Sequence, residues 1–208
     1  MQYFILPTCC IAFNAKVGSS TLACAIVNKF YPEKLKKSLD DYEDRWSKYS
    51  QSFKDSLPPA FQRMFNTDYK NSICFWQSVA ELSREPNLPI LLAVREPLKR
   101  FISTVAYLKL TVEDTLRSLE NDEEILLDDM MVKLRKNTHF LKQSIYNQKE
   151  TKLYKFPDQL EQLCKDAGLD WPIEKINEGK YEKPTLTDDQ IERVKNYYKE
   201  DFTLYNSL

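Results

Sequence analysis

Glycine, histidine and net charge are what this chain has least of. Its 208 residues include 3 glycines and 1 histidine, and 30 Lys and Arg residues against 31 Asp and Glu residues leave a net charge of −1. Without a basic excess there is no global field for nucleic acid, so any polyanion site must be local. No apolar run approaches the ~20 residues of a transmembrane helix, and the first residues lack the basic region of a signal peptide. We therefore expect no nucleic-acid partner and no transmembrane segment.

The cysteines are odd in number and have no C-x-x-C spacing: Cys9, Cys10, Cys24, Cys74 and Cys164. Such a set favours neither a disulfide framework nor a zinc site. Three of the five lie in apolar runs, which is typical of buried free thiols in a reducing compartment. The sequence therefore predicts a cytoplasmic location and no bound metal.

The order of apolar runs predicts an α/β fold in a single domain over residues 1–208. Apolar residues make up 42% of the chain, enough for a sizeable core. Residues 3–13 and 90–94 read as buried strands, each followed by a helix, and a mostly helical excursion spans about 33–85. The remaining predicted elements are helices at 72–82, from 111, at 123–136, 157–167 and 187–201, a short strand at 152–156 and a loop at 173–186. Alternating strands and helices indicate a mainly parallel sheet, whose ligands bind at the carboxyl ends of strands.

A short polar loop follows the first apolar run and opens the next helix. It contains Lys16, Gly18, Ser19, Ser20 and Thr21. The first amides of a helix have no intrahelical partners and favour anions, glycine lets a ligand approach the backbone, and hydroxyls and a lysine add donors. The same residues also fit an ordinary capped helix with a solvated lysine.

A second polar helix entry follows the strand at 90–94. Arg95 stands at the end of this strand, and Ser103 lies about two helical turns further on at ~1.5 Å rise per residue, so that both can flank one bound group. The arginine fork suits a phosphate, and serine adds a hydroxyl. Alternatively, Arg95 pairs with a surface carboxylate and Ser103 simply packs.

Taken together, the two segments resemble the sulfotransferases that use 3′-phosphoadenosine-5′-phosphosulfate (PAPS). Lys16-Val17-Gly18-Ser19-Ser20-Thr21-Leu22 resembles their 5′-phosphosulfate loop, and Arg95-Glu96-Pro97-x-x-Arg100-x-x-Ser103 resembles their 3′-phosphate motif. Segments similar to the carbohydrate sulfotransferase branch follow in order: His139-Phe140-x-x-Gln143, the strand 152–156 with its helix, Ile176-Asn177 and Tyr198-x-x-Asp201-Phe202-x-Leu204-Tyr205. The chain departs from the family in having Ala15 where proline is usual, in an unmatched stretch at 35–71 and in lacking a Golgi-type anchor, which suggests a bacterial or viral setting.

The resemblance implies a P-loop-like three-layer fold and transfer of a sulfonate group from PAPS to a hydroxyl or amine acceptor, with a carbohydrate expected. In this interpretation Lys16 neutralises the bridging oxygen, and no metal is needed. The 5′-phosphate contacts come from Lys16, Val17, Gly18, Ser19, Ser20 and Thr21. Arg95 and Ser103 hold the 3′-phosphate. Lys180 and Lys183 either close over the nucleotide or are solvated.

Sulfonate transfer also needs a general base for the acceptor. His139 is the single histidine, and an ordinary imidazole pKa of ~6.5 suits the role. The competing candidates are the carboxylates Glu33, Glu43 and Asp44. In the same region Tyr42, Trp46 and Tyr49 recur at helical spacing, as a sugar-stacking wall or as a half-buried helix face.

Two other functions remain open from the sequence. A P-loop kinase or NTPase requires G-x-x-x-x-G-K-[ST], whereas here the lysine precedes the glycine. Such an enzyme also needs a strand-terminal Asp for Mg²⁺, and Arg95 stands at that place. A non-catalytic protein that binds a nucleotide or a glycan fits the same residues.

Overall fold

The computed structural model describes residues 3–12, 14–19, 22, 25, 26, 29, 88–127, 129–147, 150–171 and 181–208. Its strands are β1 (Tyr3–Ile5), β2 (Cys10–Ala12), β3 (Ile90–Arg95), β4 (Glu124–Leu127), β5 (Met130–Lys133) and β6 (Thr151–Phe156). Its complete helices are α1 (Pro97–Leu108), α2 (Val112–Asn121), α3 (Leu160–Asp166), α4 (Asp188–Tyr197) and α5 (Lys199–Asn206). Short 3-10 turns occupy Leu134–Lys136 and Gln143–Tyr146.

The main sheet has the order β1-β2-β3-β6 within the described ranges. Strands β2, β3 and β6 run parallel, and β1 pairs antiparallel with β2 at the edge. The predicted mainly parallel α/β sheet is therefore confirmed. The parallel strands direct their carboxyl ends to the same edge, where Arg95 of β3 is in register with Phe156 of β6.

Helices cover both faces of this sheet. Strand β3 alternates its side chains between two cores, because successive residues of a strand point to opposite faces. Leu91 and Ala93 pack with Leu22, Ile26 and the α3 residue Leu163, whereas Ile90, Leu92 and Val94 pack with Tyr146 and the α5 residue Leu204. An apolar run that is buried on both faces is the expected sequence of a central parallel strand.

The single strand predicted over 3–13 is wrong. The chain makes two short strands, β1 and β2, joined by a turn in which the Leu6 amide donates to the Cys9 carbonyl at 2.8 Å. Pro7 lies in this turn and has no amide hydrogen for a ladder, which explains why the strand stops there.

The helix predicted over 123–136 is also wrong, because β4 and β5 form a hairpin there. Asp122 and Asp129 adopt left-handed backbone angles (φ 56° and 63°), which end α2 and turn the hairpin. In the hairpin Ile125 and Val132 face a helical core, whereas their neighbours Leu126 and Met131 point outward and are 63% and 60% exposed. The apolar residues of this stretch thus alternate as in a strand, although their spacing is also compatible with one face of a helix.

Helix starts were predicted more accurately. Pro97 opens α1 below a Glu96 cap, Thr111 caps α2, and Thr187 forms a complete capping box on α4. Gly168, at φ 70°, ends the α3 unit as predicted. The last predicted helix is interrupted at the buried Tyr198, so that α4 and α5 are separate helices.

Several expectations concern residues outside the described ranges: the helix at 72–82, the excursion at 33–85 and most of the loop at 173–186. The single-domain expectation stays a prediction. Cys9, Cys10 and Cys164 are buried free thiols, as expected, while Cys24 and Cys74 are not described. Across the described helices, none is both long and apolar enough to cross a membrane.

Candidate functional site

The loop after β2 rests against the end of β6. Helical backbone begins at Ser19, and the Leu22 amide donates to the Gly18 carbonyl at 3.0 Å. Lys16 and Gly18 both have left-handed backbones, with φ of 65° and 76°. A β-carbon at Gly18 would lie 3.0 Å from Cε2 of Phe156, closer than side chains normally pack. The loop therefore requires glycine at this position both for its backbone angle and for its contact with β6.

Arg95 joins this loop to the end of β3. Its Nη1 donates a hydrogen bond of 2.9 Å to the Lys16 carbonyl, and its guanidinium carbon lies 5.8 Å from the centre of the Phe156 ring. The two segments that the sequence places 79 residues apart thus meet at one point. Phe156 contacts both of them.

This meeting point carries positive charge that is partly desolvated. Burial and then repulsion by Arg95 lower the pKa of Lys16 from 10.5 to about 8. Burial also lowers the pKa of Arg95, and the nearby Glu96 carboxylate opposes that shift while Arg100 adds to it. Because the two cations are partly buried and Arg95 repels Lys16, an anion placed between them would offset that repulsion.

Arg100 holds the loop to α1. Its side chain is 2% exposed, and it donates from Nε to the Ala15 carbonyl at 3.2 Å and from Nη2 to the Leu141 carbonyl at 2.8 Å. Desolvation is the main cause of its lowered pKa. The sequence motif contains Arg100, but its role as a tie between three segments was not predicted.

Tyr107 is a site residue that sequence reasoning missed. Its ring centre lies 4.1 Å from Nζ of Lys16 and 5.3 Å from the ring centre of His139, which stacks at 25°. Tyr181 packs edge-on against it at 5.7 Å. The signal was its spacing: Tyr107 follows Arg100 by seven residues and Ser103 by four, so these three lie on one face of α1.

His139 contacts the same Tyr107 ring as Lys16. Burial, Lys16 and Arg100, in this order, lower its pKa from 6.5 to about 4. The Asn137 side-chain oxygen accepts from the His139 amide at 2.9 Å and lies 3.2 Å from Nδ1. Because an amide oxygen only accepts, this contact assigns the ring proton to Nδ1 and leaves the lone pair of Nε2 available. At neutral pH the imidazole is therefore uncharged, and its pKa of about 4 makes Nε2 a weaker base than the ordinary value of 6.5 would.

A buried amide network lies behind Arg95. Asn14 and Gln143 are 1% and 0% exposed, and Nδ2 of Asn14 donates to Oε1 of Gln143 at 3.0 Å and to the Ala93 carbonyl at 3.3 Å. Oδ1 of Asn14 is buried with no hydrogen-bond partner. The sequence pointed to Gln143 only through the family segment and not at all to Asn14.

The other predicted site residues divide into two groups. Of the described ones, Val17 is buried, Ser19 and Ser103 are half-buried, and Lys183 is exposed two residues beyond Tyr181. Outside the described ranges lie Ser20, Thr21, Lys180, Glu33, Glu43, Asp44, Tyr42, Trp46 and Tyr49. The described residues contain no group of three or more His, Cys, Asp or Glu side chains placed to hold a metal ion.

Comparison of the chain with protein-family models, with curated proteins and with solved structures found no match.

Proposed function

We propose that this protein is a PAPS-dependent sulfotransferase with a P-loop-like fold that acts on a hydroxyl-bearing acceptor, with a carbohydrate as the expected class. The observation that carries the proposal is the 2.9 Å hydrogen bond from Arg95 to the Lys16 carbonyl. It brings the two strand ends, each with its own anion-binding chemistry, into one cationic site. A nucleotide with phosphates at both its 5′ and 3′ positions matches such a site.

In this proposal the loop and the β3 end divide the donor between them. The backbone at Gly18 and Ser19, with Lys16, takes the 5′-phosphosulfate, and Ser20 and Thr21 complete that contact. Arg95 and Ser103 take the 3′-phosphate, which separates PAPS from ATP. The partly buried cations favour this assignment, because charge-assisted hydrogen bonds to phosphate are among the strongest in proteins.

The reaction is an in-line displacement at sulfur. The acceptor oxygen forms a bond to sulfur while the bond between sulfur and the bridging oxygen breaks, and the electron pair leaves with the 5′-phosphate. The acceptor proton passes to Nε2 of His139. Lys16 stabilises the charge that develops on the leaving oxygen, so positioning and electrostatics supply the catalysis, as in phosphoryl transfer.

The location of His139 supports its role as the base. It and Lys16 contact the same Tyr107 ring, so the proton acceptor and the leaving-group cation lie on one side of α1. Burial is the main cause of its low pKa, and repulsion by Lys16 comes second. A bound anion offsets this repulsion, and the imidazole then becomes a stronger base when the donor is present.

The test is calorimetric titration with adenosine 3′,5′-bisphosphate in the presence of EDTA, followed by transfer of labelled sulfonate from PAPS to a panel of glycans. We expect binding without Mg²⁺ and transfer that is lost in Lys16→Ala but kept in Lys195→Ala, a control at an exposed lysine of α4. Preference for Mg-ATP would indicate the kinase alternative, and binding without transfer to any acceptor would indicate a binding protein.

A further inference from the structure

We propose that Gln143 is a positioning residue for the 3′-phosphate, acting through the backbone of Arg95. Its side-chain amide makes two hydrogen bonds to that residue: Oε1 accepts from the Arg95 amide at 2.9 Å, and Nε2 donates to the Arg95 carbonyl at 2.8 Å. The inference rests on the proposed function, because it takes Arg95 as the residue that meets the 3′-phosphate.

The sheet explains why a side chain is needed at this place. The pairing of β2 with β3 ends at Ile11 and Leu91, whereas β6 stays in register with β3 as far as Arg95. Beyond Leu91, β3 continues to Arg95 with no further pairing to β2 among the described residues. Asn14 donates to the Ala93 carbonyl, and Gln143 pairs with both backbone groups of Arg95. The side-chain amides of Asn14 and Gln143 thus make the hydrogen bonds that a neighbouring strand would otherwise make to β3, as far as Arg95.

Gln143 is itself fixed from behind by α5. Asp201 is fully buried and accepts two hydrogen bonds from backbone amides, both at 2.8 Å. Its Oδ2 accepts from the backbone amide of Gln143, and its Oδ1 accepts from the backbone amide of Ser144. A chain of hydrogen bonds therefore runs from Asp201 through Gln143 to the Arg95 backbone, and from the Arg95 guanidinium to the Lys16 carbonyl. Gln143 does not reach the ligand in this arrangement, so its influence passes through Arg95.

This arrangement predicts a defect of one specific kind. In Gln143→Glu the Arg95 carbonyl loses its donor while the Arg95 backbone amide keeps an acceptor, so the end of β3 loosens and the guanidinium is no longer held at one place. The 5′-phosphate contacts come from the loop at Lys16–Ser19, which keeps a second tie when Arg95 loosens, because Arg100 donates to the Ala15 carbonyl. Selectivity for the 3′-phosphate should fall, while affinity for a 5′-phosphate should persist.

The experiment compares adenosine 3′,5′-bisphosphate with adenosine 5′-monophosphate by calorimetry in wild type, Gln143→Glu and Asp201→Asn. In Gln143→Glu the affinity for the bisphosphate divided by that for the monophosphate should fall by about 10- to 100-fold at pH 8. This is the range for a hydrogen bond between charged groups, here the Arg95 guanidinium and the 3′-phosphate. The affinity for the monophosphate should stay within about twofold of wild type. At acid pH the protonated carboxyl can again donate to the Arg95 carbonyl, so the ratio relative to wild type should recover. Asp201→Asn should show a smaller loss of the same ratio, and the exposed control Gln159→Glu, which keeps its bond from the Lys155 amide, should show none.

Two results overturn the inference: an unchanged ratio in both variants, or equal losses of both affinities, which indicate a merely structural role. If Gln143→Glu does not fold, Asp201→Asn decides by the same criterion. A wild-type chain without preference for the 3′-phosphate overturns the proposed function and this inference with it. A wild-type preference that survives both substitutions overturns the inference alone.

Discussion

Phe156 packs against Gly18 so closely that a β-carbon at position 18 would lie 3.0 Å from its Cε2 atom. Gly18→Ala should therefore destabilise the protein by about 1–2 kcal/mol for the left-handed backbone, plus the cost of the contact. Combining it with Phe156→Leu should recover the contact but not the backbone cost. Urea denaturation of the four proteins in this cycle measures both parts. The same cost for Gly18→Ala in both backgrounds would contradict the contact.

The pH dependence of nucleotide binding should follow Lys16. Its pKa of about 8 in the free protein means that the cation is lost above that pH. The affinity for adenosine 3′,5′-bisphosphate should fall as pH rises through 8, by up to about tenfold per pH unit. Lys16→Arg stays charged, so its affinity should change little between pH 7 and 9.5. Calorimetry across this range is the measurement, Lys195→Arg at an exposed position of α4 is the matched control, and a flat wild-type profile would refute the expectation.

His139 should titrate near pH 4, and because it is the single histidine its NMR signal needs no assignment. Its folded pKa lies below the ordinary 6.5, so the unfolded chain takes up the proton first and stability should decrease as pH falls from about 6.5 to 4. Bound bisphosphate should raise the midpoint. If the midpoint stays in place or moves down, the ligand does not lie beside Lys16 and His139.

Replacing the base should affect catalysis more than binding. In His139→Gln, kcat should fall by about 10²–10⁴, with little change in bisphosphate affinity, because the imidazole acts on the acceptor. Rapid-quench transfer assays beside calorimetry separate the two effects. Undiminished transfer would move the role of base to Glu33, Glu43 or Asp44.

Arg100→Lys should be strongly destabilising although the substitution keeps the positive charge. A lysine cannot reach both the Ala15 and Leu141 carbonyls with a planar fork, and unpaired buried acceptors cost about 1–3 kcal/mol each. We expect a loss of roughly 2–5 kcal/mol in the free energy of unfolding. The exposed Arg117→Lys should stay within about 0.5 kcal/mol of wild type, and equal effects of both substitutions would contradict the buried arrangement.

The β4–β5 hairpin separates two adjacent residues that a helix stripe would bury together. Ile125→Thr should cost about 1–2 kcal/mol, since Ile125 packs on a core. Leu126→Thr should cost less than about 0.5 kcal/mol, because Leu126 is exposed. Denaturation midpoints of the two variants give the answer, and comparable losses would support the helix instead.

Local patterns predicted much of the fold. An unbroken apolar run gave β3, and the cap residues at positions 111 and 187 gave the starts of two helices, because each depends on neighbours in sequence. The helix prediction for 123–136 was wrong because the apolar residues there fit both a helical and a strand period. The turn at Asp129 favours the hairpin.

The candidate site was predictable from the sequence at its strand ends and at the single histidine, His139. Lys16 and Arg95 follow apolar runs and could be found, whereas Tyr107 and Gln143 act through partners far away in sequence. Gln143 bonds a residue 48 positions earlier, and nothing near it in the chain indicates that partner. Such contacts depend on how the strands and helices pack in three dimensions, and local sequence patterns do not predict that packing.

The buried thiols can report local unfolding of the cores around the sheet. Burial raises the pKa of Cys9, Cys10 and Cys164, the last to about 11, so that little reactive thiolate exists at neutral pH while the fold is closed. Alkylation at Cys10 then records exposure of the core that contains Tyr146 and Leu204, and alkylation at Cys9 or Cys164 records exposure of the core on the other side, which contains Leu163. Site-resolved mass spectrometry after a short pulse of iodoacetamide can thus rank how readily the two sides of the sheet separate, without an engineered label.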